Sequence, residues 1–264
     1  MHTIKDIIIY PIKGLGGVHT LAGEALHAGF RYDRRWMLID ENNQFVTQRS
    51  LPQMALFSQK LHGNFLEIMY KGLSIHISTE DHTSQIINTK VWDDDAVTVL
   101  CSNEISAWFT EMLHKKVKLV KILDEQSRKH TVQASGKIVD VSLADGYPYL
   151  VASEQSLHML NDKLSSPIKM DRFRPNIVVS ADYGHHEDEW QGMEVGTAIF
   201  ENIKPCGRCN VITIDQQNAH INTEPLRILN QYRKVGNSVN FGTNMICVQE
   251  GVITVGDTIN LSNL

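Results

Sequence analysis

The sequence predicts a mainly β chain with a few helices, an α+β fold in which an N-terminal β-barrel-like module packs on a second β-barrel domain. Short apolar segments separated by turn signals fill the first hundred positions, one clear helical period appears only after Ser102-Asn103, and β-branched segments return beyond it. At 264 residues the chain fits one large domain or two modest ones, against ~150 residues per domain.

The N-terminal run with Ile4, Ile7, Ile8 and Ile9 reads as a strand. Arg35 to Ile39 and Phe45 to Arg49 suggest a hairpin around the polar linker Asp40 to Gln44. Phe65 to Tyr70 and the alternating Leu73, Ile75 and Ile77 form a second hairpin turned by Lys71-Gly72. Ala96 to Leu100 is a further strand, behind the solvated turn Trp92-Asp93-Asp94-Asp95. A helix then follows, with Ile105, Trp108, Phe109, Met112 and Leu113 on one face and Glu111 and Lys115 on the other. Leu157, Leu160 and Leu164 predict a second helix after Ser153, and Pro225 in a first turn predicts a third after Thr223. Asn176 to Ser180, Asn210 to Asp215 and Met245 to Val248 read as strands. Polar residues from Asp124 to Lys137 suggest a mobile connection, so the expected domains are 1–123 and 124–264.

Composition narrows the function. With 42% hydrophobic and 21% charged residues the chain is globular, and a net charge of −5 supplies no general field for nucleic acid or an anionic bilayer. Any anionic ligand must therefore meet a local basic pocket. No apolar run approaches the ~20 residues of a membrane-spanning helix, and no secretory signal opens the chain, so a cytoplasmic address without a membrane partner is expected.

Six of the ten arginines fall in four compact segments: Arg34 and Arg35, Arg49 after Thr47-Gln48, Arg172 and Arg174 before Asn176, and Arg208. Guanidinium groups bind phosphate oxygens bidentately, so a shared arginine pocket would suit a phosphorylated cofactor. Taken one segment at a time, ion pairing with Asp33 and Asp171 is the simpler reading.

Cys206-Gly207-Arg208-Cys209 is the sharpest local feature among four cysteines, the others being Cys101 and Cys247. A thioredoxin-type dithiol needs a following helix, and the run after Cys209 looks strand-like, which places the pair in a loop leading into a strand. Structural zinc lacks a second Cys-x-x-Cys, and His185-His186 in a strand would point to opposite faces. What remains is a single reactive or metal-bound sulfur near Lys204 and Arg208, or two inert cysteines. Lys13-Gly14-Leu15-Gly16-Gly17 lacks the P-loop order and reads as a turn; His185 to Glu189 reads as a polar loop before Trp190.

Five segments in order, Tyr10-Pro11-Ile12-Lys13, Asp33 to Asp40, Thr47-Gln48-Arg49, Arg172 to Ile177 and Lys204 to Cys209 with Thr213-Ile214-Asp215 beyond, resemble the MOSC family across nearly the whole chain. The resemblance is to an N-terminal β-barrel module plus a MOSC domain, as in amidoxime-reducing components and at the C-terminus of molybdenum cofactor sulfurases. It implies a molybdenum pyranopterin held by Lys13, Arg34, Arg172 and Arg174, with Thr47, Arg49, Asn176 and Arg208 as further contacts. It also implies Cys209 as the catalytic metal ligand, with Cys206 as the fallback. The implied activity is reduction of a small N-hydroxylated substrate. No iron–sulfur pattern follows Cys247, so a separate electron-donor protein is implied. The alternative is a sulfur or cofactor carrier with a persulfide on Cys209, acting beside a pyridoxal phosphate-dependent cysteine desulfurase. Gly14 and Gly207 stand where relatives often carry Ser.

Overall fold

The computed structural model describes residues 1–133 and 135–262. Its largest feature is a closed seven-strand barrel. The ring runs Tyr149–Ser153, Ile177–Val179, His2–Ile9, Thr258–Ser262, Gly192–Val195, Ala198–Gly207 and Ser238–Gln249, and the last strand pairs back onto the first. The N-terminal strand thus sits between two strands from the far half of the sequence, in register Ile4 to Val179 and His2 to Ile259. Inside the ring Ile4, Ile7, Val151, Ile177, Phe200 and Met245 are buried together. Tyr149–Ser153 and Ile177–Val179 are parallel, so a crossover must join them, and it contains helix α2, Glu154–Asn161.

A second group packs beside the barrel. Trp36–Ile39, Lys118–Lys121, Asp94–Leu100 and Ile86–Val91 form a four-stranded sheet, and Ser58–His62, Phe65–Tyr70 and Leu73–Ser78 form a meander. Helix α1, Asn103–Leu113, lays Ile105, Phe109 and Leu113 into a core shared with Trp36, Phe57 and Ile68. It stops at His114, whose left-handed backbone (φ 50°) leaves Lys115 outside the helix. The turn between the second and third meander strands uses positive φ at both Lys71 and Gly72 (50° and 83°), which matches the twist of paired strands.

Three readings need correction. Phe45 to Arg49 is not a strand. Its first two residues pair, through an Ile39–Phe45 bridge and Val46 N–H donating to Leu38 O, and residues 47–51 then turn back on themselves through Ser50 N–H and Leu51 N–H donating to Thr47 O. The opposite edge of Trp36–Ile39 pairs with Lys118–Lys121. Asn210–Thr213 is a 3-10 turn rather than a strand, because Ile212 buries against Leu229 of helix α3, Glu224–Tyr232, and Thr213 Oγ1 donates to Asn210 O. Cys206 and Gly207 therefore end a strand rather than lead into one. Within the polar stretch from 124 to 137, Arg128–Thr131 pairs with Ile138–Val141, and Arg128 is buried with its guanidinium on Ala144 O and Asp145 O. Ala134 of that stretch lies outside the described residues.

Candidate functional site

The turns after Tyr10, before Trp36, around Thr47, before Ile177 and after Gly207 converge on one open cleft of about 890 Å³, solvent mouth included. Lys13, Gly14, Arg34, Thr47, Arg49, Arg174, Asn176, Cys206, Arg208 and Cys209 all line it. Five lining residues are cationic (Lys13, Arg34, Arg49, Arg174, Arg208) and one, Asp145, is a carboxylate. Arg172 does not line it. Its guanidinium points away, donating to Asp215 Oδ2 at 2.7 Å and to Thr213 O at 3.3 Å, which ties the turn before Ile177 to the 3-10 turn.

The floor is built around Asp33. This fully buried carboxylate accepts from Tyr10 N–H (2.8 Å), Arg34 Nη1 (2.6 Å) and Asn176 Nδ2 (3.0 Å). Burial pushes the Asp33 carboxyl up, and Arg34 together with these hydrogen bonds opposes the push. Asn176 also donates to Ile8 O and accepts from Arg34, so its amide is taken up in holding the floor. The pairing of Arg34 with Asp33 follows the ion-pair reading. Asp171 does not serve the same purpose for its neighbours, since it accepts from Gln217 while Arg172 bonds Asp215.

Arg174 differs from the others. Among the described residues its guanidinium has no carboxylate and no hydrogen-bond acceptor, only the Tyr10 ring 4.3 Å away. Burial lowers its pKa to about 10, with Tyr10 opposing, so it stays charged at neutral pH. Arg208 donates to Phe173 O (2.7 Å) and contacts Cys206 Sγ (3.0 Å), while its buried Nε has no partner. Arg49 lies over Trp92 at 4.3 Å and 3.8 Å from Cys209 Sγ. At the mouth Lys13 Nζ and Trp92 Nε1 both reach Asp145 Oδ1, at 2.5 and 3.2 Å. Trp92, read from the sequence as part of a solvated turn, stands behind the lining residues Arg49 and Asp145, and Asp145 belongs to no motif because a connecting loop brings it to the cleft. Gly14 joins the wall with φ +88°, a backbone angle that favours glycine.

The cysteines divide in two. Cys101 and Cys247 are buried in the cores, and burial pushes both thiols up to about 12. Cys206 and Cys209 face the cleft, Cys209 exposed as the residue preceding the 3-10 turn and Cys206 half-buried at the strand end. The arrangement offers donors to an anion and a soft sulfur in the same concavity.

Fold and cleft together define a β-barrel protein that presents a cationic, thiol-bearing cleft between two modules. The chain belongs to the MOSC family: residues 1–116 match the MOSC N-terminal beta barrel domain and residues 139–260 the MOSC domain. It is 28% identical over 283 residues to mitochondrial amidoxime reducing component 2 of Rattus norvegicus, covering 97% of this chain and 82% of that protein. With mitochondrial amidoxime-reducing component 1 of Homo sapiens the identity is 29% over 279 residues, covering 98% and 82%. With molybdenum cofactor sulfurase of Danio rerio it is 28% over 261 residues, covering 91% of this chain but only 31% of that longer protein.

Proposed function

We propose that the chain is a molybdenum cofactor-binding oxidoreductase that reduces small N-hydroxylated compounds with electrons from a separate protein. The observation that carries this reading is the surplus of five cations over one carboxylate around two thiols in a single cleft. The amidoxime-reducing components to which the chain is similar support the substrate class.

The residues present suit such a group. Among the described residues Arg174 has no acceptor of its own and Arg208 Nε is buried without a partner, and both residues line the cleft that holds the two thiols. Arg174, Arg34, Lys13 and Arg49 would hold the phosphate and the polar edge of the pterin, and Cys209 Sγ would supply the soft ligand. Bound there, the cofactor would supply two-electron reduction of the substrate N–O bond, which with the partner's electrons and two protons from solvent releases the oxygen as water. The protein's own contribution is positional. Asp33 and Asn176 fix Arg34 before any ligand arrives, Tyr10 lies against Arg34 and Arg174, and Arg208 anchors the strand end between the two thiols. Cys101 and Cys247 lie in two different hydrophobic cores while Cys206 and Cys209 face the cleft, so these four thiols do not ligate one iron–sulfur cluster, and electron delivery falls to a partner.

A second reading, a sulfur or cofactor carrier acting beside a pyridoxal phosphate-dependent cysteine desulfurase, is favoured by the exposure of Cys209 and by the similarity to the sulfurase. The deciding experiment measures molybdenum per chain and benzamidoxime reduction with an artificial donor, for protein made in a host that synthesises the cofactor. Near one molybdenum per chain with turnover, both lost in Cys209→Ala, supports the reductase. A stable persulfide on Cys209 without turnover supports the carrier, and loss of metal in Cys206→Ala alone reverses the ligand assignment.

A further inference from the structure

The strand His2–Ile9 runs from one end of the barrel to the cleft, so His2 lies about 26 Å along the strand from Tyr10. Beside His2 the neighbouring strand Ile177–Val179 has just ended. The pairing continues through Thr3 N–H donating to Ser180 Oγ (2.8 Å) and Ser180 N–H donating to Thr3 O (2.9 Å), which sets Asp182 next to His2. Left-handed backbone at His185 (φ 68°) then reverses the chain and returns His186 to the same spot.

The result is a three-sided cluster. His2 Nε2 and His186 Nδ1 each stand 3.7 Å from Asp182 Oδ2, and one donor atom from each of the three residues lies within 4.8 Å of the others. A separation of 3.7 Å is too long for a hydrogen bond, so the carboxylate does not satisfy either ring. His186 Nδ1 is shielded from solvent and has no hydrogen-bond partner among the described residues. Both imidazoles are pinned, 13% and 15% exposed, against Trp190 at ring-centre distances of 5.3 and 5.8 Å, whereas Asp182 is 64% exposed and able to swing.

We propose that His2, Asp182 and His186 form a Zn²⁺ site that clasps the first strand to the loop after Ile177–Val179. Two imidazoles and a carboxylate with an open fourth position are a donor set zinc accepts, and hard cations such as Mg²⁺ prefer all-oxygen shells. With bonds near 2.0–2.1 Å, tetrahedral ligand atoms sit about 3.3–3.4 Å apart, so the two 3.7 Å edges must shorten by a few tenths of an ångström. The third edge, between the two imidazoles, is no longer than 4.8 Å and closes in the same sense, while the exposed Asp182 side chain adjusts to both rings. The site shares no residue with the cationic cleft.

The test uses the full chain stripped with a chelator and titrated with Co²⁺, then Zn²⁺. Expected are one metal per chain, visible d–d absorption without a sulfur charge-transfer band, and quenching of Trp190 fluorescence by Co²⁺ that Zn²⁺ reverses. His186→Ala and the exposed Asp182→Ala each weaken binding at least about tenfold, while Cys206→Ala/Cys209→Ala leaves it unchanged. A sulfur charge-transfer band, affinity indifferent to Asp182→Ala in folded protein, or no saturable binding at micromolar Zn²⁺ would overturn the assignment.

Discussion

Arg34 and Arg174 each place a guanidinium carbon 4.3 Å from the centre of the Tyr10 ring, and each does so from a left-handed backbone, with φ of 47° and 56°. Two non-glycine residues in that region cost about 1 kcal/mol or more each, and they bring together two like charges 140 positions apart. Asp33 neutralises Arg34; nothing in the described protein neutralises Arg174.

Arg174→Gly should therefore stabilise the ligand-free protein while crippling anion binding. Glycine accepts the backbone angle and removes a buried cation, for a gain of about 1 kcal/mol in denaturant unfolding. Affinity for a phosphate-bearing pterin should fall on the order of tenfold to a hundredfold, the worth of charged hydrogen bonds. Arg174→Ala keeps the strained angle and should gain less stability with the same loss of affinity.

Arg172→Ala should behave in the opposite way. It leaves Asp215 and Thr213 O without their buried donor, so unfolding free energy should drop by about 3 kcal/mol. Because the Arg172 side chain points away from the cleft, anion affinity of the folded fraction should hold within about twofold. An affinity loss matching that of Arg174→Gly would refute this division of labour.

Removing the lone lining carboxylate should tighten anion binding. In Asp145→Asn, Lys13 is released from its 2.5 Å contact and repulsion at the mouth disappears. Calorimetric titration with pyrophosphate should show about threefold to tenfold higher affinity, shrinking as salt is added.

His185 and Asp188, beside the end of helix α3, act on acid behaviour in opposite directions. Burial pushes Asp188 up to about 6, against the pull of Arg233, and pushes His185 down to about 4, with Arg233 adding to the push. Between pH 4 and 6 the folded chain keeps a proton on Asp188 that the unfolded chain has released, so this carboxyl makes stability fall as pH rises. Between pH 4 and 6.5 the unfolded chain protonates the His185 imidazole and the folded chain does not, so this ring makes stability rise with pH. The slopes oppose each other. His185→Asn, which suits the left-handed backbone, should leave Asp188 acting alone, and its unfolding free energy should fall by about 2 kcal/mol relative to the parent's trend between pH 4 and 6.

Local pattern was legible wherever a period ran long enough or a turn demanded a special backbone. The apolar spacing of Ile105, Phe109 and Leu113 specified helix α1, and Lys71-Gly72 specified a hairpin. The run Asn210 to Asp215 misled because four to six apolar and β-branched residues suit a strand or a buried turn equally; packing of Ile212 under helix α3 decided the matter. Phe45 to Arg49 failed for a related reason. Val46 N–H still donates to Leu38 O, but further along that same edge Trp36 bonds Pro11 O and Lys13 N–H, so the segment leaves the strand there and turns Thr47 and Arg49 into the cleft.

By itself, then, the sequence determined the β-rich class, the helices and hairpins with strong local signals, and the residue types able to hold an anion beside a sulfur. Tertiary structure alone decided which of them meet. Closing the ring inserted the first strand between Ile177–Val179 and Thr258–Ser262, and that closure carried Lys13 and Arg34 to Arg174 and Cys209 while turning Arg172 away toward Asp215. Periodicity reports only which face of an element is apolar; the convergence of side chains more than a hundred residues apart depends on how sheets pair and close, a property no local segment contains.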